Sequence, residues 1–420
     1  MKGPKRIFLS VGVVFLCLTA GHYLAWFTPV GTLLSPAGWE NAREQRELLW
    51  HLKQYHHFDG EFLKGDVSRQ RIDRFLNSSD PYSDYLTREE FESFEKETSQ
   101  EYVGIGVEIT RLKEGVTITK VFPGSPAHQT GFLPGDVILE VDRVAVGDET
   151  VSEVVNRITG PEGSSVAIKV YRPFEETTRL LVPMRGSVQF PSVSKVALLE
   201  DQIGYLKIDE FARRTADEVE KALSDLESME MEALVLDLRN NPGGMLDAAV
   251  SVAGQFLQPG TPVVEIHTFQ KNKAEVIRSR GTGTRQDLPL VVLLNRSSAS
   301  ASEIVAGSLR AEGRAVIIGE RSYGKGSVQS IFALSNGEGL RMTTARFIFP
   351  DGSDIEDGVG LQPDITVPLS YEEAYQLKLQ EFHETLLDAE AFRARFGMDL
   401  IEDRQLGEAL EYLNKLSQRS

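Results

Sequence analysis

The first hydrophobic run, "IFLSVGVVFLCLTAGHYLAWF" from Ile7 to Phe27, has no formal charge apart from any proton on His22. About 20 such residues cross a hydrocarbon layer. Lys2, Lys5 and Arg6 precede it, which predicts a cytoplasmic start and an exported body. Residues 1–34 therefore read as a signal or anchor segment. Leu18-Thr19-Ala20 is a poor small-residue cleavage site, so an uncleaved anchor is favoured. A removed signal and a lipid on Cys17 remain open. From residue 35 to 100 the apolar spacing turns helical, as in "NAREQRELLWHLKQYHHF". In "LTREEFESFEKE", Thr87 and Glu90 offer a capping box, and "NSSDPYSDY" reads as a turn.

The period shortens at residue 101. "YVGIGVEITRLKEGVTITKVFPGSPAHQTGFLPGDVILEVDRVAV" has short alternating runs broken by Gly, Pro and Asp. A helix, "DETVSEVVNRI", and two more strands, "SSVAIKVYR" and "RLLVPMRG", complete a compact β unit over 101–186. Over 187–369, strands ("IGYLKIDEF", "ALVLDLR", "PVVEIHTF", "PLVVLLN", "RAVIIGE") interleave with helices ("ADEVEKALSDLES", "MLDAAVSVAGQFL", "ASEIVAGSLRAE"). That alternation predicts a sheet covered by helices. Residues 370–420 read as charged amphipathic helices, an arm for dimer or partner contact. The whole is an α/β multidomain chain: helical N-terminal region, small β domain inserted before an α/β core, helical C-terminal tail.

In the β unit, Gly104 and Gly106 bracket a tight turn whose backbone N–H groups suit a carboxylate. The strand that follows offers an edge for β-augmentation, with Ile105, Val107 and Ile109 shaping a side-chain pocket. A bulge glycine pair is the plainer alternative. "GIGVEI", "GSPAHQTGFLPGDVILEVD" and "RITGPEGSSVAIKVYR", in that order, resemble a PDZ domain.

Charge and rare residues narrow the chemistry. With 45 basic and 62 acidic side chains the formal charge is −17, which repels polyphosphate backbones, so nucleic acid is not expected as a partner. Cys17 is the sole cysteine, leaving no disulfide framework in the body. The 7 histidines show no metal-ligand spacing, so no metal or cofactor is expected.

"RAVIIGERSYGKGSVQS" nearly matches a phosphate loop, with Gly319, Gly324 and Lys325. Gly326 stands where Mg²⁺ needs a hydroxyl, and "SVQSIFAL" is strand-like where that loop needs a helix. Export would also remove the loop from ATP. Lys325 must then do something else. Upstream, "PLVVLLNRSSASASEIVAGSLR" runs a buried strand into serines and an apolar helix. Ser300 and Glu303 form a capping box, and Ser300 does no more than start a helix on that reading. The same geometry suits a nucleophile, because helix-start N–H groups stabilise an oxyanion. A neutral lysine is then the candidate base. It must titrate near 7 rather than ~10.4, a difference of roughly 4–5 kcal/mol that burial supplies and a neighbouring carboxylate opposes. No acid lies within four residues of Lys325, and the Gln329 amide oxygen is placed to hold the amine without adding charge.

"DPYSDYLT", "VLDLRNNPGG", "SSASASEIVAGSL", "ERSYGKGSVQ" and "FIFPDGSDIEDGVGLQPDITV", with the PDZ segments among them, resemble the carboxyl-terminal processing (tail-specific) proteases from about residue 80 to 368. The resemblance implies a Ser-Lys protease core of crotonase-like α/β kind. It implies Ser300 as nucleophile, Lys325 as base and Gln329 as its aligner. The oxyanion donors are then the N–H of Ala301 and one of Gly243 or Gly244, whose plainer role is a turn after a strand. The loop of Gly104, Ile105, Gly106 and Val107 would hold a substrate's terminal carboxylate. Arg157 matches a position linked to substrate sensing, though it also reads as a surface arginine. Two departures are the Arg296-Ser297-Ser298 stretch before the nucleophile and the "GVGLQPD" variant. The expected partners are protein tails with free C-termini, an adaptor and a second copy of the chain, on the periplasmic or extracytoplasmic side of the cytoplasmic membrane. A PDZ scaffold that binds tails without cutting is the rival.

Overall fold

The computed structural model of the chain describes residues 46–48, 50–52, 72–76, 80, 82–99, 101–189, 191–269, 273–281, 283–355, 358–383 and 389–418. The expected signal or anchor segment lies outside these residues. Among the described residues no helix is long and apolar enough to cross a membrane. The chain forms two compact units. One comprises residues 94–266, 275–326 and 347–420; the other comprises 1–93, 267–274 and 327–346.

In the first of these, the alternating stretch folds as its pattern predicts. Strands β1 (Val107–Leu112), β2 (Gly115–Val121), β3 (Val137–Val141), β4 (Ile168–Arg172) and β5 (Thr177–Leu181) pair antiparallel in that order. This leaves β1 at the sheet edge. Val116, Ile118, Phe132, Ile138 and Ile168 fill the core. Helix α1 (Pro126–Thr130) starts at a Ser125 cap. Helix α2 (Val151–Ile158) starts at a full capping box, with the Thr150 N–H donating to Glu153 at 2.7 Å and the Glu153 N–H to Thr150 at 3.3 Å. It turns Val154 and Ile158 inward.

The core sheet runs β6 (Val193–Leu198), β7 (Ile203–Ile208), β8 (Ala233–Asp237), β9 (Leu290–Leu294), β10 (Val316–Gly319) and β11 (Ile365–Thr366). Only β6 is antiparallel to its neighbour. Every residue of β7, β8 and β9 is buried, the signature of parallel strands covered on both faces. Tyr205, Val235, Val291 and Leu293 meet Ala409 and Leu413 on one face. Alternate residues turn to the other, where Gly204 leaves room for Leu226 of α3 (Thr215–Ser228). Helices α4 (Leu246–Gly254) and α5 (Ala301–Ala311) follow β8 and β9. The loops at the carboxyl ends of these strands therefore lie side by side, where parallel sheets place their chemistry. Helices α6 (Tyr371–His383), α7 (Ala389–Phe396) and α8 (Arg404–Ser417) complete the unit.

In the other unit the expected Thr87–Glu90 box is made, at 2.7 and 3.1 Å. Leu48, Leu52, Ile72 and Leu76 pack with Leu334, Leu340 and Met342. The segment after Lys325 is a strand, Ser327–Ala333, as its β-branched pattern predicts. A phosphate loop has no helix to begin there.

Candidate active site

Strand β9 ends at Leu294, and a turn leads into α5 at Ala301. Ser300 sits at that junction with φ 54 and ψ −111, outside the regions a serine ordinarily occupies. Its neighbours hold it there. Buried Ser298 donates its hydroxyl to the Leu238 carbonyl at 2.8 Å, and Ser302 donates to the Asn241 carbonyl at 2.9 Å. The Ala299 N–H donates to that same carbonyl at 3.0 Å. The serine cluster thus divides: Ser298 and Ser302 are structural, while Ser300 is half-buried with Ala301 starting the helix.

The residue that joins the site is Glu303. Its side chain is fully buried and accepts four hydrogen bonds. Oε2 takes the Ser300 N–H at 2.7 Å and the Lys325 N–H at 2.9 Å. Oε1 takes the Ser322 hydroxyl at 2.5 Å and the Gly324 N–H at 2.8 Å. One carboxylate oxygen therefore ties the backbones of Ser300 and Lys325 together. The Tyr323 N–H donates to Ser298 O at 2.9 Å, a second tie between the lysine loop and the serine turn. The sequence shows Glu303 only as a helix cap, and its reach to residue 325 has no local signal. It also corrects the expectation of an acid-free neighbourhood for Lys325. The carboxylate is near, and four donors share its charge.

Of the glycine pair after β8, Gly243 faces the same turn, and Gly244 lies against the Phe211 backbone. Gly243 has φ +105, and a Cβ there would meet Ala299 O at 2.7 Å, Ser300 Cβ at 2.8 Å and Ala301 N at 2.9 Å. Glycine is required for this approach. The two candidate donors are not equivalent. The Gly243 N–H donates to Asn241 Oδ1 at 2.9 Å, while Asn241 Nδ2 donates to Ile208 O at 2.9 Å. Gly243 is thereby spent on its own turn. Gly244, with φ +138, stays as the candidate beside the Ala301 N–H.

Next to this loop in sequence lies a charged network whose pairings no motif marks. Arg239 bonds Asp237 through Nη2 at 2.6 Å and Asp403 through Nη2 at 2.8 Å, and Tyr205 donates to Asp237 at 2.6 Å. Lys207 pairs with Glu381. Burial alone would raise Asp237, but the Arg239 guanidinium, with Lys207 and the Tyr205 hydroxyl, holds its carboxyl below the usual range. Burial and the Asp237 charge push the Tyr205 hydroxyl upward, so it stays a donor. The available signal was two opposite charges at i and i+2, closing an otherwise apolar strand in "VLDLR".

Gln329 belongs to the other unit. Its Nε2 donates to Ser327 at 3.0 Å and to Thr343 at 3.3 Å, which leaves Oε1 as its acceptor. Ser83 of "DPYSDYLT" accepts from the Thr343 N–H at 2.9 Å, so this motif supports the strand that holds Gln329. Arg157 is committed within the β unit. Its Nη1 bonds both oxygens of Glu149 at 2.8 and 2.7 Å, and Nη2 bonds the carbonyls of Val141 and Val144.

Between edge strand β1 and α2 opens a groove of about 570 Å³, lined by Gly104, Ile105, Gly106, Val107, Ile109, Val155 and Ile158. The turn's carbonyls are engaged within the β unit: Ile105 O accepts from the Ala127 N–H at 2.7 Å, and Gly106 O from the Phe122 N–H at 3.1 Å. Pro242, Asp209 and Glu210 of the core line the same groove. Pro242, of the loop carrying Gly243 and Gly244, thus borders the groove.

Comparison with known proteins agrees with this picture. Peptidase family S41 matches residues 202–367, and a PDZ domain matches 103–181. The chain is 34% identical over 309 residues to a carboxy-terminal-processing protease of Bartonella bacilliformis, covering 73% of this chain and 70% of that one. It is 31% identical over 371 residues to a CtpA-like serine protease of Staphylococcus haemolyticus, covering 87% and 73%. A solved structure of an S41 protease from Bacteroides fragilis shares the fold, with TM-score 0.53 and 17% identity over 82% of this chain and 94% of that one.

Proposed function

The chain belongs to the carboxy-terminal-processing proteases of peptidase family S41 and is a serine-type hydrolase, and from that premise we propose that Ser300 and Lys325 form its catalytic dyad. The reading rests on one observation above all: Glu303 Oε2 accepts from the N–H groups of both residues. In the reaction Ser300 Oγ attacks the scissile carbonyl while its proton passes to Lys325 Nζ. The Ala301 and Gly244 N–H groups receive the oxyanion, at the positive end of α5. The leaving amine takes the proton from Lys325; water then gives a proton to the freed Lys325 amine and attacks the acyl carbon, and that proton returns to Ser300 Oγ as the new carboxyl end leaves. Gln329 is kept as the uncharged aligner that the family resemblance implies.

The groove beside β1 takes the free carboxyl end of a protein. A tail lying along β1 gains main-chain hydrogen bonds, its terminal side chain fits among Val107, Ile109, Val155 and Ile158, and the glycine turn supplies N–H groups to the carboxylate. The protease core is of the crotonase-like kind. The cationic start and apolar run of residues 2–27 support a body tethered outside the cytoplasmic membrane, where proteins with accessible tails are the substrates. The helices from Tyr371 onward serve contact with a second copy or an adaptor.

The test uses an unstructured protein carrying a free or an amidated C-terminus. Cleavage of the free form, lost in Ser300→Ala and in Lys325→Ala, is expected. Tail binding without cleavage supports a scaffold instead, and cleavage that survives either substitution removes the dyad.

A further inference from the structure

The tail groove is not built by the PDZ unit alone. Asp209 and Glu210, which follow β7 in the protease core, line it together with Pro242. Across it stand Glu108 and Lys120 of the sheet. Three carboxylates and one ammonium therefore belong to residues that line the groove, with Asp209 also taking the Ser194 hydroxyl at 2.9 Å. Lys120 is partly engaged, its Nζ 5.2 Å from the centre of the Phe122 ring. The remainder of its wall is apolar: Val107, Ile109, Val155 and Ile158.

We propose that Asp209 and Glu210 make the groove a charge filter, so that the chain selects apolar-ended tails carrying basic side chains and rejects acidic ones. The inference deepens the tail-recognition reading and rests on it. A tail in the groove brings its own charges into a cavity walled on one side by protein, where screening is weaker than at the open surface. Two acids supplied by the core act on that charge together with Glu108. A chain of net charge −17 adds a long-range field of the same sign. The acids come from the core, so the selection operates at the place where tail groove and catalytic loop meet. An isolated PDZ unit would lack it.

The experiment uses the detergent-solubilised full chain and one unstructured protein with four tails. Three end in the same apolar residue after two Lys, two Ser or two Glu, and the fourth is the Ser tail amidated. Expected is a kcat/KM order of Lys over Ser over Glu, with about fivefold per step carried by KM and shrinking as salt rises. Asp209→Asn with Glu210→Gln should flatten the order. The wild-type order and its salt dependence test the idea even where that variant folds poorly. Cleavage that ignores tail charge yet still needs a free carboxylate overturns the filter alone. Cleavage indifferent to amidation overturns the tail reading beneath it.

Discussion

Glu303→Gln is the perturbation with the best-defined consequence. The buried carboxylate accepts four hydrogen bonds of 2.5 to 2.9 Å, two on each oxygen. Glutamine keeps the shape but turns one oxygen into an NH₂ group. The new donor settles on the Ser322 side, because a hydroxyl can accept and a backbone N–H cannot. That orphans the Gly324 N–H, at about 1–3 kcal/mol. The bonds to Ser300 and Lys325 survive but lose their charge assistance, roughly half their strength. About 3 kcal/mol in total, expressed as a looser Ser300–Lys325 register, corresponds to roughly 100-fold in kcat at 1.4 kcal/mol per tenfold. Steady-state cleavage of a free-tailed protein measures it, with a thermal melt and serine labelling by a fluorophosphonate run alongside. Labelling should slow in step with kcat while KM for the tail stays put. Wild-type kcat in a folded Glu303→Gln protein would refute the reasoning, as would a loss explained wholly by the unfolded fraction.

Gly243→Ala must move the Ala299 carbonyl and Ser300 Cβ out of contacts below 3 Å, so activity should fall by more than about 100-fold with the PDZ unit's tail binding intact, read by peptide affinity and turnover together. Arg157→Ala removes bonds to Glu149 and to two carbonyls, and should lower stability by about 2 kcal/mol in thermal unfolding. A sensing role would instead abolish the response to tails at unchanged stability. Asp237 has its pKa depressed in the fold, so its contribution to stability is present above about 3.8 and is lost as pH falls through the lower, folded value. Asp237→Asn should cost about 3 kcal/mol at neutral pH and flatten the acid limb of the stability curve below pH ~4.

Periodicity carried much of the architecture. The alternating runs from residue 101 and the continuous apolar runs of β7, β8 and β9 became strands, and "ASEIVAGSLRAE" became α5 within a residue. The strand-to-helix turn at Ser300 was legible locally, and so was the strand that follows Lys325. What stayed hidden depends on contacts distant in sequence. Glu303 looked complete as a cap, and its grip on residues 322–325 appears only when the loop after β10 folds back over α5. A window of four residues on either side of Lys325 cannot see a carboxylate supplied from 22 positions away. The choice between Gly243 and Gly244 was partly readable, since Asn-Pro-Gly invites an Asn side chain to bond the backbone N–H two residues on. Asp209 and Glu210 belong to the core by sequence, and only the packing of the PDZ unit against it puts them in the groove.

The central claim is that Ser300 is a nucleophile activated by Lys325. The most direct measurement is fluorophosphonate labelling of the full chain across pH, with the modified residue identified by peptide mass. The account predicts a single adduct on Ser300, forming at a rate governed by one deprotonation and lost in Lys325→Ala. An adduct elsewhere, or a Ser300 adduct whose rate is indifferent to Lys325→Ala, contradicts it.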